Sequence, residues 1–171
     1  MVRDSALELV NLADPSTTTE VPELIPSAPA LRPADIFSSA AFPGCMAALD
    51  IGICSPDASG AGRDCCESMW RKKRDRYGDF RDELRSRNII YAPLVASCYG
   101  RWHIDSACTL ERIARQAARR LGVRDHGGIL RRAHAAIGVA IWRRAVCMVR
   151  ACLPQLDDDA LQVLVGGGDA E

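Results

Sequence analysis

The sequence predicts a mixed α/β fold of the α+β kind: a small mixed sheet of about three strands, flanked by helices and followed by two Arg-rich helices. Three observations carry this. Two nine-residue apolar runs, MAALDIGIC at 46–54 and IIYAPLVAS at 89–97, have the length and composition of buried strands. Between them lies a charged segment whose apolar residues recur at helical spacing. From 106 to 152 apolar residues again recur at a helical period. With 171 residues, 48% hydrophobic and 26% charged, the chain holds material for one core with tails on either side.

Taken in order, residues 1–30 contain four of the nine prolines and the run Ser16-Thr17-Thr18-Thr19, and read as a disordered arm. Within it Ser5-Ala6-Leu7-Glu8 matches a capping box, which allows a short helix over 6–13. The domain itself is expected over 31–154. Arg32-Pro33-Ala34-Asp35-Ile36-Phe37 reads as a short strand, and Met46 to Cys54 as a buried strand interrupted by Asp50. Ser55-Pro56-Asp57 and the glycines at 60 and 62 end it. A helix is expected over 64–87, with Met69, Tyr77, Phe80 and Leu84 on one face. Lys73 falls on that apolar face and Lys72 is rotated away from it. Ile89 to Ser97 is the third strand, followed by a turn at Tyr99-Gly100.

Two helices close the domain. The first runs over 106–121 with Gly122 as its C′ residue, and the second over 129–152, stopped by Pro154. In the second, Leu130, Ala133, Ile137, Ile141 and Val149 make the buried stripe, with the Arg pairs 131–132 and 143–144 off it. Residues 155–171 form an acidic tail with a short helical stretch at Asp158–Val165. The expected order is arm, β, β, α, β, α, α, without an internal repeat or a Gly-rich phosphate loop.

Eight cysteines stand at 45, 54, 65, 66, 98, 108, 147 and 152, without a C-x-x-C pair. The first residues lack a basic region followed by an apolar run, so the expected compartment is intracellular and reducing. The cysteines then read mostly as small buried side chains, with adjacent Cys65 and Cys66 on different sides of their helix. No run approaches the roughly 20 apolar residues of a membrane helix.

The 22 basic and 22 acidic residues cancel, but unevenly along the chain. Residues 1–30 carry five acids and one base, and 153–171 carry five acids and none. Between them, 101–150 hold eleven arginines against Asp105, Glu111 and Asp125. A basic body between acidic ends suits phosphate contacts, and equally suits solvated helix faces in an Arg-rich composition. For nucleic-acid binding the candidates are Arg115, Arg119, Arg131 and Arg132. Twenty of the bases are Arg, and the two lysines, Lys72 and Lys73, are adjacent.

Asp35 and Asp50 are the chemically odd residues, since each falls in a strand of an otherwise apolar core. A buried carboxylate is costly unless it is paired or holds a metal. Two of them on neighbouring strands can hold a hard divalent cation, and Lys73 on the next helix can reach that pair. Two carboxylates and a lysine are what metal-assisted phosphodiester cleavage needs. The competing reading makes Asp35 a strand-end residue, pairs Asp50 with an arginine and lets Lys73 snorkel to solvent.

The run RPADIF, then LDIGICSP after eleven residues, then Lys73 four residues before Tyr77, then YAPLVASCYG, resembles the restriction-endonuclease-like domain found downstream of the reverse transcriptase in some non-LTR retrotransposons. That domain belongs to the PD-(D/E)XK nucleases, whose metal-binding acids sit on adjacent strands. The resemblance covers 31–100, and the helices at 104–152 look like the segment that follows in related retroelement reading frames. It implies a Mg²⁺- or Mn²⁺-dependent endonuclease that nicks DNA, with Asp35 and Asp50 as metal ligands and Lys73 as the catalytic lysine. It also implies the reverse transcriptase of the parent element as a partner, DNA before RNA as substrate, and a nuclear location if active. Four departures stand out. Ala34 separates Pro33 from Asp35, and Gly52 stands where the commonest pattern has Lys. No zinc knuckle precedes the domain, and no core helix is evident ahead of the first strand. A degenerate remnant, a non-catalytic nucleic-acid-binding module and a helical interaction domain are the alternatives.

Overall fold

The two apolar runs become the two central strands, because alternate residues of each find a different hydrophobic layer on either side. The computed structural model describes residues 2–58 and 62–152. In chain order the elements are α1 (Val2–Ala13), β1 (Thr18–Thr19), β2 (Ile36–Ser38), β3 (Met46–Cys54), α2 (Cys65–Arg76), a 3₁₀ turn (Gly78–Phe80), α3 (Arg81–Ser86), β4 (Ile89–Ser97), α4 (Ile104–Leu121) and α5 (His126–Cys152). The sheet order is β1-β2-β3-β4. β1 and β3 are antiparallel to β2, and β3 is parallel to β4 from Met46↔Ile89 to Cys54↔Ser97.

One face of the sheet carries Ala47, Leu49, Ala92, Leu94 and Ala96 against α1, α4 and α5. The other carries Ala48, Ile89 and Val95 against α2, α3 and the loop before β2. The result is three layers, helix on sheet on helix. β3 and β4 end where their sequence runs end, and Gly122 adopts the left-handed conformation that closes α4. No helix among the described residues is long and apolar enough to cross a membrane.

Three expectations need correction. The stretch 1–30 is not a loose arm. Ala6, Leu9, Val10 and Ala13 of α1 are buried against α4 and α5, and Arg120 donates to the Leu12 carbonyl at 3.0 Å. Further on, Thr18–Thr19 adds a fourth strand, and Leu24 and Ile25 are buried beside Tyr77, Leu84 and Ile89. Prolines and hydroxyl residues dominate the composition of this stretch, yet a few well-placed apolar side chains suffice to bury it. The helix expected over 64–87 is broken at Tyr77, whose ring turns into the core ahead of Gly78. The first predicted strand is shorter than 32–37, because Pro33 and Ala34 are packed in the loop and pairing as β2 starts at Ile36. The stripe of α5 buries Ala133, Ile137 and Ile141, while the Val149 side chain, the acidic tail and its Asp158–Val165 stretch lie outside the described residues.

Asp14 fastens α1 to the sheet. Its buried carboxylate accepts from Ser16 N and Oγ, Ser38 Oγ, and Ser39 N and Oγ, all between 2.5 and 3.0 Å. Burial alone would raise its pKa, but these donors win and hold it well below the usual carboxylate range. Asp14→Ala is therefore expected to cost about 3 kcal/mol at neutral pH, since it strands several buried donors at once. Because the folded pKa is depressed, the wild-type advantage is present above the unfolded value of about 3.8 and is lost as pH falls below it. Melting curves of both proteins at pH 7 and pH 3 check this. A gap that does not narrow in acid would show that the carboxylate's charge is not what holds the helix.

Candidate active site

Asp50 sits at the middle of β3, in an alternation that sends Ala48, Asp50, Gly52 and Cys54 toward α2. Its two oxygens have different partners. Lys73 Nζ donates to Oδ1 at 2.6 Å, and Tyr91 OH donates to Oδ2 at 2.5 Å. The Lys73 and Asp50 side chains are 17% and 15% exposed, so the pair is sheltered but reachable from solvent. The partner is thus neither an arginine nor bulk water. Burial, the Asp50 charge and the hydrogen bond to it push the Tyr91 hydroxyl far up, so it stays a donor.

Asp35 stands one residue ahead of β2, opposite Asp50 if the β2–β3 register is continued. Here the ladder is distorted. The Asp35 N–H goes to the Leu49 carbonyl at 2.9 Å, and the carboxylate Oδ2 accepts the Ile51 N–H at 2.7 Å. The side chain thus stands in for a ladder acceptor, which fixes it beside Asp50. Burial raises the Asp35 pKa first, the Ile51 N–H opposes this, and the Asp50 charge raises it further while Lys73 lowers it. Tyr77 steadies the loop before Asp35, its hydroxyl donating to the Arg32 carbonyl at 3.2 Å while its ring packs on Tyr91 at 4.7 Å.

Lys73 reaches Asp50 because Gly52 leaves room. A Cβ at position 52 would lie 2.5 Å from Lys73 Cε and 3.3 Å from Cδ. Gly52 is not among the glycines with positive φ, so space, not backbone freedom, is what the position requires. The volume that a strand lysine would occupy two residues after Asp50 is filled instead by the stem of the helix lysine. Lys72 is exposed, as expected.

The two elements are tied together by thiols. Cys54 at the end of β3 and Cys65 and Cys66 at the start of α2 are all buried, with their sulfurs within 4.8 Å of one another. Adjacent Cys65 and Cys66 therefore do not diverge to different sides, since both tuck under the strand end. Cys54 Sγ donates to the Ala96 carbonyl at 3.5 Å and Cys66 Sγ to the Arg101 carbonyl at 3.4 Å. Burial pushes both thiols up, which keeps them protonated and packed as small apolar groups. The N-cap Asp64 accepts from Cys66 N and Glu67 N and pairs with Arg101, fixing where α2 begins.

The structure brings Asp35, Asp50 and Lys73 together, and it does not bring the four candidate arginines to them. Arg115 and Arg119 on α4 and Arg131 and Arg132 on α5 are exposed on the helical layer across the sheet. Arg115 pairs with Glu111 at 2.6 Å and Arg131 with Asp125 at 3.5 Å. Tyr91 is a site residue that the sequence reading missed, because only the β3–β4 register shows it lying beside Asp50. Gly52 had a visible signal: a glycine inside a strand run marks a close approach. No protein-family model matches the chain, and neither does any curated protein or solved structure.

Proposed function

We propose that the chain is a divalent-metal-dependent DNA endonuclease derived from a retrotransposon, nicking its target by phosphodiester hydrolysis. The observation that carries this reading is that Asp35 stands opposite Asp50 in the continued β2–β3 register while Lys73 of α2 bonds Asp50 in a sheltered pair. The element order adds support. Such nucleases carry a helix ahead of their first strand, and α1, which includes the 6–13 stretch of the capping box, precedes the sheet here.

The donor set suits a hard cation. Asp35 and Asp50 are cross-strand neighbours in the continued β2–β3 register, Lys73 bonds Asp50, and burial and then the Asp50 charge disfavour the ionised form of Asp35. A carboxylate offers about four acceptor positions, so Asp50 keeps lone pairs free while bonded to Lys73 and Tyr91. Asp35 and Asp50 would hold Mg²⁺ or Mn²⁺, which when bound supplies polarisation of the phosphate and an acidified water. The chain's own groups do the rest. Tyr91 OH and the Ile51 N–H fix the two carboxylates, and Lys73 Nζ can swing from Asp50 Oδ1 to charge developing on a phosphate oxygen. Water adds to phosphorus, the P–O3′ bond breaks, and the leaving oxygen takes up a proton to give a free 3′ hydroxyl. That end is one on which the parent element's reverse transcriptase could prime, which sets the site of action in the nucleus.

A second reading, a module that binds DNA or RNA without cutting, is favoured by one feature: both Asp50 oxygens already have partners from this chain. Incubation of the full chain with supercoiled plasmid separates the two. The nuclease reading expects open circles with Mg²⁺ or Mn²⁺ and none with a chelator. Retention of plasmid without nicking in either metal supports the binding module instead.

A further inference from the structure

A cavity of about 360 Å³ lies along the outer edge of the first half of β4, Ile89–Pro93, between α2 and α3 on one side and α4 on the other. Four arginines line it, Arg74, Arg81, Arg85 and Arg112, against a single acid, Asp105. Two of these guanidinium groups lie on aromatic faces, Arg74 4.6 Å above Trp70 and Arg112 5.4 Å from the centre of Phe42. Arg81 and Arg85 are four apart on α3, exposed, and have no acidic partner among the described residues. Tyr91 lines the same cavity while its hydroxyl bonds Asp50, so the cavity and the acid site share a wall.

We infer that this cavity takes one unpaired nucleotide of a DNA strand, and that the substrate presented to Asp35 and Asp50 is DNA with a single-stranded segment. The inference rests on the nuclease reading and names its substrate form. The volume is near the lower end of the roughly 300–1,000 Å³ of small-molecule sites, enough for a nucleotide and too small for a duplex. The Arg74 and Arg112 guanidinium groups, over Trp70 and Phe42, offer stacking surfaces for a base. Arg81 and Arg85, exposed, one helical turn apart and without an acidic partner among the described residues, suit consecutive phosphates. An acidic peptide would use the charges but not the planar faces of the ring-backed guanidinium groups.

The test is binding without cleavage. Fluorescence anisotropy of the full chain, without divalent metal, compares a labelled oligo-dT of about 12 nucleotides with a duplex of the same length. The wild type is expected to prefer the single strand by about tenfold or more. Arg81→Gln/Arg85→Gln should lose that preference and flatten the salt dependence by about 1.4 in the log–log slope, two single-strand phosphates at about 0.7 each. Arg143→Gln/Arg144→Gln, exposed on α5, which does not line the cavity, should keep the preference. Photocrosslinking of a bromodeoxyuridine oligomer should mark Phe42, Trp70, Tyr77 or Tyr91. Equal binding by the Arg81/Arg85 variant, or crosslinks confined to the outer face of α4 and α5, overturns the inference. If plasmid is nicked while oligo-dT is ignored, this inference fails and the nuclease reading stands. If oligo-dT binds as described and nothing is ever nicked, the nuclease reading fails and the nucleotide site remains.

Discussion

Asp50→Asn should abolish nicking, by at least about 10²–10³-fold, while leaving a folded protein. Asn keeps the size of Asp and can still accept from Tyr91, so the packing around β3 is preserved. What it loses is the charge, and with it both the cation and the counterion of Lys73. Removing one partner of a fully buried pair costs about 3–5 kcal/mol. Lys73 is partly exposed and can turn to water, so the expected cost here is smaller, about 1–2 kcal/mol. The metal separates this from an ordinary ion pair. A carboxylate pair that holds Mg²⁺ predicts a wild-type melting temperature that rises as the ion is added, by the linkage of binding to folding, and an Asp50→Asn protein that ignores it. Asp35→Asn should behave likewise toward Mg²⁺ yet melt higher than wild type without it, because it removes the carboxylate that burial and Asp50 disfavour. A wild type indifferent to Mg²⁺, beside an Asp50→Asn protein that only loses stability, would reduce the cluster to a structural pair.

How much of this was legible in the sequence differs by segment, and the reasons are physical. β3 and β4 could be read to the residue because both faces of each strand are covered, so apolar character continues along the whole run. Asp50 stood out for the same reason, Asp35 as a carboxylate in a short predicted strand, and Lys73 because it falls on the apolar face of its predicted helix. α1 was not legible as part of the core. Its buried set is Ala6, Leu9, Val10 and Ala13, two of them alanines, and the prolines that follow dominate any composition window. The break at Tyr77 was missed because its ring follows the helical spacing of Met69 and Leu84 although the backbone does not. Tyr91 and the arginines of the β4 edge depend on cross-strand register and on which edge of the sheet is left open, and neither is a local property of the chain. The arginines that looked most basic along the sequence, at 115–132, are on the layer remote from the acids, whereas Arg81 and Arg85 were diluted by neighbouring Asp82 and Glu83.

The position of the lysine offers the most discriminating experiment on the site. In this chain the amine that meets Asp50 comes from α2, and Gly52 is the opening through which its stem passes. Lys73→Ala should lower nicking by about 10²-fold or more if the amine stabilises developing charge. Gly52→Ala adds one methyl group 2.5 Å from Lys73 Cε, so the lysine must withdraw. A displacement of about 1 Å at such a group can cost about 10²-fold, so this small change should act nearly as strongly as removing the amine. The backbone at Gly52 does not resist substitution, since its φ is not positive, and in Lys73→Ala the obstructing stem is gone. The double variant Gly52→Lys/Lys73→Ala then places an amine on the strand itself, on the same face as Asp50 and two residues after it. It should recover most of what Lys73→Ala loses, to within about tenfold of wild type, because the chemistry requires an amine at that point and not a particular element to carry it. Melting curves of all three proteins distinguish lost activity from lost fold. Full activity in Gly52→Ala, or a double variant no better than Lys73→Ala despite a wild-type melting temperature, would show that Lys73 serves only as the counterion of Asp50.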